Sequence, residues 1–73
     1  MRLEKLMYDL LHYINEHTPV RYADILKAHE PTRPCKISST LRRLQYNECL
    51  EYDSGLYYIT QQGKLMLSAE ETP

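Results

Sequence analysis

The spacing of apolar residues predicts a helix at the start of the chain. Apolar residues recur there every three or four positions, which places them on one face of a helix. The set comprises Leu3, Leu6, Met7, Leu10, Leu11 and Ile14. The residue before a proline is disfavoured in helical geometry, so helix 1 is predicted to end between residues 15 and 18, ahead of Pro19. The beginning of the chain therefore predicts one amphipathic helix.

A short second helix is predicted after this proline. Residues 20–22 are expected to be extended, and they are too few to form a strand unless they pair with a later segment. Helix 2 is predicted over residues 23–29, with Ile25 and Leu26 facing inward. The next segment contains Pro31 and is predicted to be a turn.

The third helix is predicted to have an apolar inner face and a basic outer face. It is expected to begin near residues 33–35, because Pro34 suits a first helical turn, where its missing N–H would be unpaired anyway. Ile37, Leu41 and Leu44 then recur at helical spacing. The residues left mostly on the opposite side are Lys36, Ser38, Ser39, Arg42 and Gln45. Asn47 is predicted to end this helix in a left-handed conformation.

A hairpin and a last helix complete the predicted order of elements. Residues 50–52 and 56–59 are expected to pair as strands around the turn Asp53-Ser54-Gly55. Thr60 is expected to cap a short helix that carries Leu65, Met66 and Leu67, although Gly63 weakens it by about 1 kcal/mol relative to alanine. The predicted fold class is α+β and mostly α, in one domain of residues 1–73, because a chain this short cannot build a second core.

Two segments resemble a known superfamily. The run Ile37-Ser38-Ser39-Thr40-Leu41-Arg42-Arg43-Leu44 resembles the recognition-helix core of bacterial winged-helix regulators, with an aliphatic residue, two polar residues and a spaced leucine pair. The run Tyr57-Tyr58-Ile59-Thr60-Gln61-Gln62-Gly63 is similar to the junction of wing and following helix in MarR-like and PadR-like families. The chain departs from those families at Leu26, where a small residue is usual, and at Glu30 and Glu48, where glycine is common.

The resemblance covers about residues 20–67 and implies a winged helix-turn-helix. Such a domain has a three-helix core, a short two-stranded wing and a short C-terminal helix. The implied function is sequence-specific binding of double-stranded DNA by a small transcriptional regulator, with helix 3 in the major groove. A homodimer through helix 1, the C-terminal helix or both is also implied.

Charge narrows the expected mode of binding. The nine basic and ten acidic residues give a net charge of −1, which argues against a protein that coats nucleic acid by overall charge alone. The region from Arg33 to Arg43 nevertheless holds four basic residues and no acidic one. We predict that Lys36, Ser38, Ser39 and Arg42 face base edges, and that Arg33 and Arg43 meet the DNA backbone.

The wing is predicted to contribute little to DNA binding. Its tip, Asp53-Ser54-Gly55, has Glu51 nearby and no lysine or arginine. This acidic wing is what a winged-helix domain used as a protein-interaction module would have, such as a phage or plasmid accessory factor or a complex subunit. A module of this kind, without DNA binding, is the alternative function.

Other functional classes are not indicated. No signal peptide or membrane span is recognisable, so a cytoplasmic protein is expected, with Cys35 and Cys49 reduced. No nucleophile motif or phosphate-binding loop is present, so the chain is predicted to be neither an enzyme nor a cofactor-binding protein. Imidazole and two thiolates suit zinc, but the spacing of His29, Cys35 and Cys49 matches no usual zinc finger, so no zinc site is predicted.

Overall fold

The computed structural model of the protein describes residues 3–71. The fold is α+β and mostly helical, as predicted. Its elements in chain order are α1 (Lys5–His17), β1 (Val20–Arg21), α2 (Tyr22–Ala28), α3 (Pro34–Tyr46), β2 (Leu50–Asp53), β3 (Leu56–Ile59) and α4 (Gln61–Glu71). The predicted single domain of residues 1–73 extends past the described residues at both ends and stays a prediction.

Helix α1 lies across the core and ends where the sequence predicts. Its inner face buries Met7, Leu10, Leu11 and Ile14. The helix stops at His17, and Thr18 then takes the extended backbone that precedes Pro19. None of the described helices is long and apolar enough to cross a membrane.

The three strands form one antiparallel sheet in the order β1-β3-β2. Strand β3 is central, with Val20 opposite Tyr57 on one side and Tyr52 opposite Tyr57 on the other. The short extended piece before helix 2 is therefore a strand because it pairs with a segment more than thirty residues later. The sequence predicts that Tyr22 belongs to this extended piece. Tyr22 is instead the first residue of α2.

The predicted hairpin is confirmed, with β2 one residue longer than expected. Ser54 and Gly55 both have positive φ, 52° and 84°. This pair of conformations suits a two-residue turn whose twist matches that of the strands. Asp53 pairs with Leu56 and so belongs to the strand rather than the turn.

The prediction that Asn47 is the left-handed residue after helix 3 is wrong. Asn47 has φ −88°, whereas Glu48 has φ 63°. The Glu48 N–H donates to Gln45 O at 2.9 Å, and the Cys49 N–H donates to Leu44 O at 2.9 Å. These two bonds are those of a Schellman motif, in which the left-handed residue stands one position beyond the cap. The side chain of Asn47 instead donates to Arg43 O at 2.8 Å.

Thr60 caps α4, as predicted. Its hydroxyl donates to Glu48 O at 2.6 Å and accepts the Gly63 N–H at 3.0 Å. Glycine at position 63 has a structural reason that the sequence did not reveal. A Cβ at this position would lie 2.3 Å from the carbonyl oxygen of Cys49 and 2.8 Å from Cγ1 of Ile59. Helix α4 can approach the start of β2 this closely only because the side chain is absent.

Gly63→Ala therefore tests this close approach. Alanine normally stabilises a helix relative to glycine, but here its methyl group would force α4 away from Cys49. We expect the substitution to lower the free energy of unfolding by about 1–3 kcal/mol in urea denaturation. Gln62→Ala, at an exposed position in the same turn, should change it by less than about 0.5 kcal/mol. A Gly63→Ala protein as stable as the parent would contradict the packing described.

The core joins α1, α2, α3, the sheet and α4. Its fully buried members are Met7, Leu10, Leu11, Ile14, Ile25, Ile37, Leu41, Leu44 and Cys49. Leu41 and Leu44 are inaccessible to solvent, as the sequence predicts. Thr40 is also buried, and its hydroxyl donates to Lys36 O at 2.8 Å.

Leu41→Ala should destabilise the protein severely. The change leaves a cavity beneath the centre of α3, and we expect a loss of about 2–5 kcal/mol, measured by thermal and urea unfolding. Leu65 is 55% exposed on α4, so Leu65→Ala serves as the matched control and should have little effect. Equal stabilities of the two variants would contradict the orientation of α3.

Candidate nucleic-acid interface

The acid-free segment forms an exposed basic helix. Arg33 immediately precedes α3 with an extended backbone, and Pro34 occupies its first turn. Arg33, Lys36, Arg42 and Arg43 are all exposed. Within residues 3–71, the charged groups of Arg33, Lys36 and Arg42 form no ion pair and no hydrogen bond. Three of the four cations are therefore available to an external anion.

The predicted site residues do not share one face of α3. The core side holds Ile37, Thr40, Leu41 and Leu44. At 100° per residue, the direction opposite the core is occupied by exposed residues spaced three or four apart. These are Cys35, Ser39, Arg42 and Tyr46. Lys36 and Arg43 lie on the flank towards α1, and Ser38 lies on the flank towards the hairpin.

Ser38 is only half-exposed because it packs against the start of α2. Its Oγ is hydrogen-bonded to the hydroxyl of Tyr22, and the same hydroxyl lies 3.5 Å from Pro34 O. Ser39, one residue on, donates to Lys36 O at 3.1 Å and remains exposed. Ser38 therefore fixes Tyr22 beside α3, whereas Ser39 faces outward.

Arg43 forms an ion pair that the sequence did not suggest. Its Nη2 lies 3.5 Å from Oε1 of Glu4, which precedes α1. The two side chains are 56% and 67% exposed, and pairs this exposed contribute at most about 1 kcal/mol. Arg43 can exchange Glu4 for another anion at small cost, but it lies on the side of α3 away from the hairpin.

A polar groove separates α3 from the hairpin. It is lined by Tyr22, Ser38, Arg42, Gln45, Tyr52 and Tyr57, and its volume is about 310 Å³. We call it the tyrosine groove. The rings of Tyr52 and Tyr57 lie 4.8 Å apart, at the end of the sheet nearest α3. Tyr52 is 53% exposed, while Tyr57 is nearly buried.

Burial raises the pKa of the Tyr57 hydroxyl above its ordinary value. The neighbouring Tyr52 and Tyr22 add to this, and the positive charge of Arg42 acts in the opposite direction. Arg42 lines the groove together with Tyr57. Arg42 thus belongs both to the outer face of α3 and to the tyrosine groove.

The acidic residues of the hairpin do not line this groove. Side chains alternate along a strand, and the register pairs Tyr52 with Tyr57 and Glu51 with Tyr58. Glu51 and Asp53 therefore point to the opposite face of the sheet. The negative charge that the sequence attributes to the wing as a whole belongs to one of its two faces.

Tyr52 and Tyr46 are exposed near the candidate site, and neither is among the residues predicted from the sequence. Tyr52 alternates with Glu51 and shares the face of buried Leu50, so the period of two could have placed it on the α3 side of the hairpin. Tyr46 is 88% exposed at the end of α3. In the sequence, the only sign that it faces outward is its position on the side of the helix opposite Ile37, Leu41 and Leu44.

Metal chemistry finds no support in the part of the chain described. No group of three or more histidine, cysteine, aspartate or glutamate side chains in residues 3–71 could hold a metal ion. Cys49 is buried and Cys35 is exposed. Burial also raises the pKa of the Cys49 thiol, as expected for a core residue.

No protein-family model matches this chain, and no curated protein or solved structure matches it either.

The burial of Tyr57 predicts a loss of stability at alkaline pH. The pKa of this hydroxyl is higher in the folded protein than in the unfolded chain, where it is about 10. The stabilisation is complete below pH 10 and is lost as the pH rises through the folded value, because the unfolded state releases the proton more readily. We expect the unfolding free energy of the parent to fall more between pH 9 and pH 11 than that of Tyr57→Phe, which has no hydroxyl at this position. Equal losses would place Tyr57 in water.

Proposed function

We propose that this protein is a winged-helix transcriptional regulator that binds double-stranded DNA with α3 in the major groove. The observation that carries the proposal is the exposed side of α3, where Ser39 and Arg42 face away from the core and Lys36 is exposed on the adjoining flank. The segment from Pro31 to Asn47 contains no acidic residue, although the whole chain has a net charge of −1. Such local positive charge is the electrostatic feature of a DNA-contacting helix.

The order of elements supports the proposal. Helices α2 and α3 are joined by a five-residue connection and followed directly by the β2–β3 hairpin. In a winged helix-turn-helix, the second helix of such a pair contacts base edges and the hairpin lies beside it. Strand β1 extends the two-stranded wing expected from the sequence to a three-stranded sheet.

The dimensions of α3 also suit this role. Its 13 residues span about 20 Å at 1.5 Å per residue, and the major groove is about 12 Å wide. Ser39 and Arg42 can then approach the duplex from the outer face of the helix, with Lys36 beside them on the flank towards α1. Arg33, at the helix start, is proposed to contact a phosphate, and Arg43 to do so after release from Glu4.

A homodimer in the cytoplasm remains part of the proposal. Helices α1 and α4 pack together, and the Leu3 N–H donates to Oε1 of Glu70 at 3.1 Å. Their outer surfaces are therefore adjacent, with exposed Leu65 on one of them. Two such surfaces would give the two-fold arrangement that dimeric regulators use to contact paired half-sites.

A protein-interaction module is the second candidate. The observation in its favour is the exposure of two large apolar or aromatic side chains, Tyr46 on α3 and Leu65 on α4. Side chains of this type are enriched at protein interfaces when they belong to a contiguous patch. The carboxylates of Glu51 and Asp53 on the hairpin are compatible with a basic partner protein.

A titration with random-sequence duplex DNA at low salt separates the two candidates. We expect the parent to bind and the variant Lys36→Ala/Arg42→Ala to bind far more weakly, because two cations facing the duplex are lost. The slope of log K against log salt should decrease in magnitude by about 2 units.

The matched control is Lys5→Ala/Lys64→Ala. It removes two positive charges from α1 and α4, so both double variants change the net charge from −1 to −3. The control should bind duplex DNA nearly as the parent does. If the α3 variant is folded and binds as tightly as the parent, DNA binding through α3 is wrong and the protein-interaction function takes its place.

A further inference from the structure

The tyrosine groove has the composition of an anion site. None of its six lining residues is acidic, and Arg42 supplies a permanent positive charge. Gln45 can donate from its amide, and Tyr52 and Tyr57 carry hydroxyls that can donate, while the hydroxyls of Tyr22 and Ser38 are hydrogen-bonded to each other. Donor-rich surroundings with one cation favour a ligand that accepts several hydrogen bonds and carries negative charge.

The side chains along α3 form a continuous wall of this groove. Ser38, Arg42 and Gln45 succeed one another at spacings of four and three residues, so they lie on a single stripe of the helix. Tyr22 is held at the beginning of that stripe by its hydrogen bond to Ser38. The hairpin supplies the opposite wall through Tyr52 and Tyr57.

The groove is already arranged in the free protein. Tyr57 is nearly buried, its ring supports that of Tyr52 at 4.8 Å, and Tyr22 is hydrogen-bonded. Within residues 3–71 the Arg42 guanidinium has no ion pair or hydrogen bond. A ligand entering the groove would meet walls supported by Tyr57 and Tyr22 and one unpaired cation, so the side-chain ordering that opposes its binding is mainly that of Arg42.

We propose that the tyrosine groove binds a phosphate of the DNA backbone, with Arg42 as its cation and Tyr52 as a hydroxyl donor. This inference rests on the proposed function, since it assigns a DNA group to a cavity that borders α3. It changes the role expected from the sequence, in which Arg42 contacts a base edge. In the groove Arg42 positions the duplex, and base contacts come from Ser39 on the outer face and from Lys36 on the adjoining flank.

A phosphate in the tyrosine groove would give the hairpin a role in DNA binding, to which its acidic tip is predicted from the sequence to contribute little. Glu51 and Asp53 lie on the other face of the sheet, so a phosphate beside Tyr52 would meet hydroxyls instead of carboxylates. The hairpin would contact DNA through tyrosine, without a lysine or arginine of its own.

The first test removes a single hydroxyl. Tyr52→Phe keeps the ring against Tyr57 and deletes only the proposed donor, whereas Tyr58→Phe makes the same change on the opposite face and is the control. In fluorescence anisotropy titrations with several unrelated 20-base-pair duplexes at low salt, Tyr52→Phe should weaken binding about tenfold on each duplex. Tyr58→Phe should bind as the parent, and both variants should melt at the parent temperature.

The second test distinguishes a phosphate from a base. Arg42→Ala should weaken binding to all duplexes alike and reduce the salt slope by about one unit, since one cation no longer displaces counterions. If Arg42 and Tyr52 hold the same phosphate, adding Tyr52→Phe to Arg42→Ala should weaken binding by about twofold rather than tenfold.

The outcomes separate this inference from the proposed function. A parent that binds no duplex overturns the proposed function, and the phosphate site with it. A parent that binds, together with a Tyr52→Phe variant that binds equally well, overturns the phosphate site alone. An Arg42→Ala variant that loses affinity for one sequence only, with an unchanged salt slope, assigns Arg42 to a base and also overturns it.

Discussion

The backbone around Cys49 is the constraint on which the arrangement of α3, the hairpin and α4 depends. The Cys49 N–H closes the end of α3 on Leu44 O, and its carbonyl oxygen accepts the Thr60 N–H at 3.1 Å. Gly63 lies against the same carbonyl, so α4 begins in contact with the residue that ends the helix cap. One residue thus connects three elements through its main chain, while its side chain is buried in the core. Such a junction leaves little freedom in the angle between α3 and the sheet.

This fixed angle determines which side chains meet. Tyr52 is three residues beyond Cys49, and Arg42 is seven residues before it, yet both line the tyrosine groove. They are adjacent because the chain turns sharply at Glu48, whose positive φ a non-glycine residue adopts at some energetic cost. Glu48 lies directly between α3 and the hairpin. Strained residues cluster at functional sites, which agrees with a site that depends on how α3 and the hairpin are placed relative to each other.

Local features of the sequence were sufficient to predict the helices and strands but not the contacts between them. The end of α1 before Pro19, the start of α3 at Pro34 and the hairpin around Ser54-Gly55 follow from short-range backbone preferences, and all three are confirmed. The apolar period of α3 likewise predicted its buried face. The left-handed residue was misplaced by one position, because asparagine's intrinsic tolerance of that conformation was outweighed by the hydrogen bonds that Glu48 and Cys49 make to α3.

The candidate site was harder to predict, because its geometry depends on residues far apart in the chain. The pairing of Arg43 with Glu4 and of Ser38 with Tyr22 joins segments that no short-range pattern connects. The cations of α3 could be identified from composition alone, whereas the division of that helix into an outer face and two flanks required the packing of α1 on one side and the hairpin on the other.

Because side chains alternate along its strands, the hairpin has two chemically different surfaces. The surface towards α3 presents phenol groups, and the surface away from it presents the carboxylates of Glu51 and Asp53. A polyanion lying along α3 could contact the phenol groups on the near surface of the hairpin. Beyond the hairpin, the carboxylates of Glu51 and Asp53 would repel it. The hairpin would then set the edge of the footprint and the direction in which the molecule faces along a duplex, even though the protein as a whole is almost neutral.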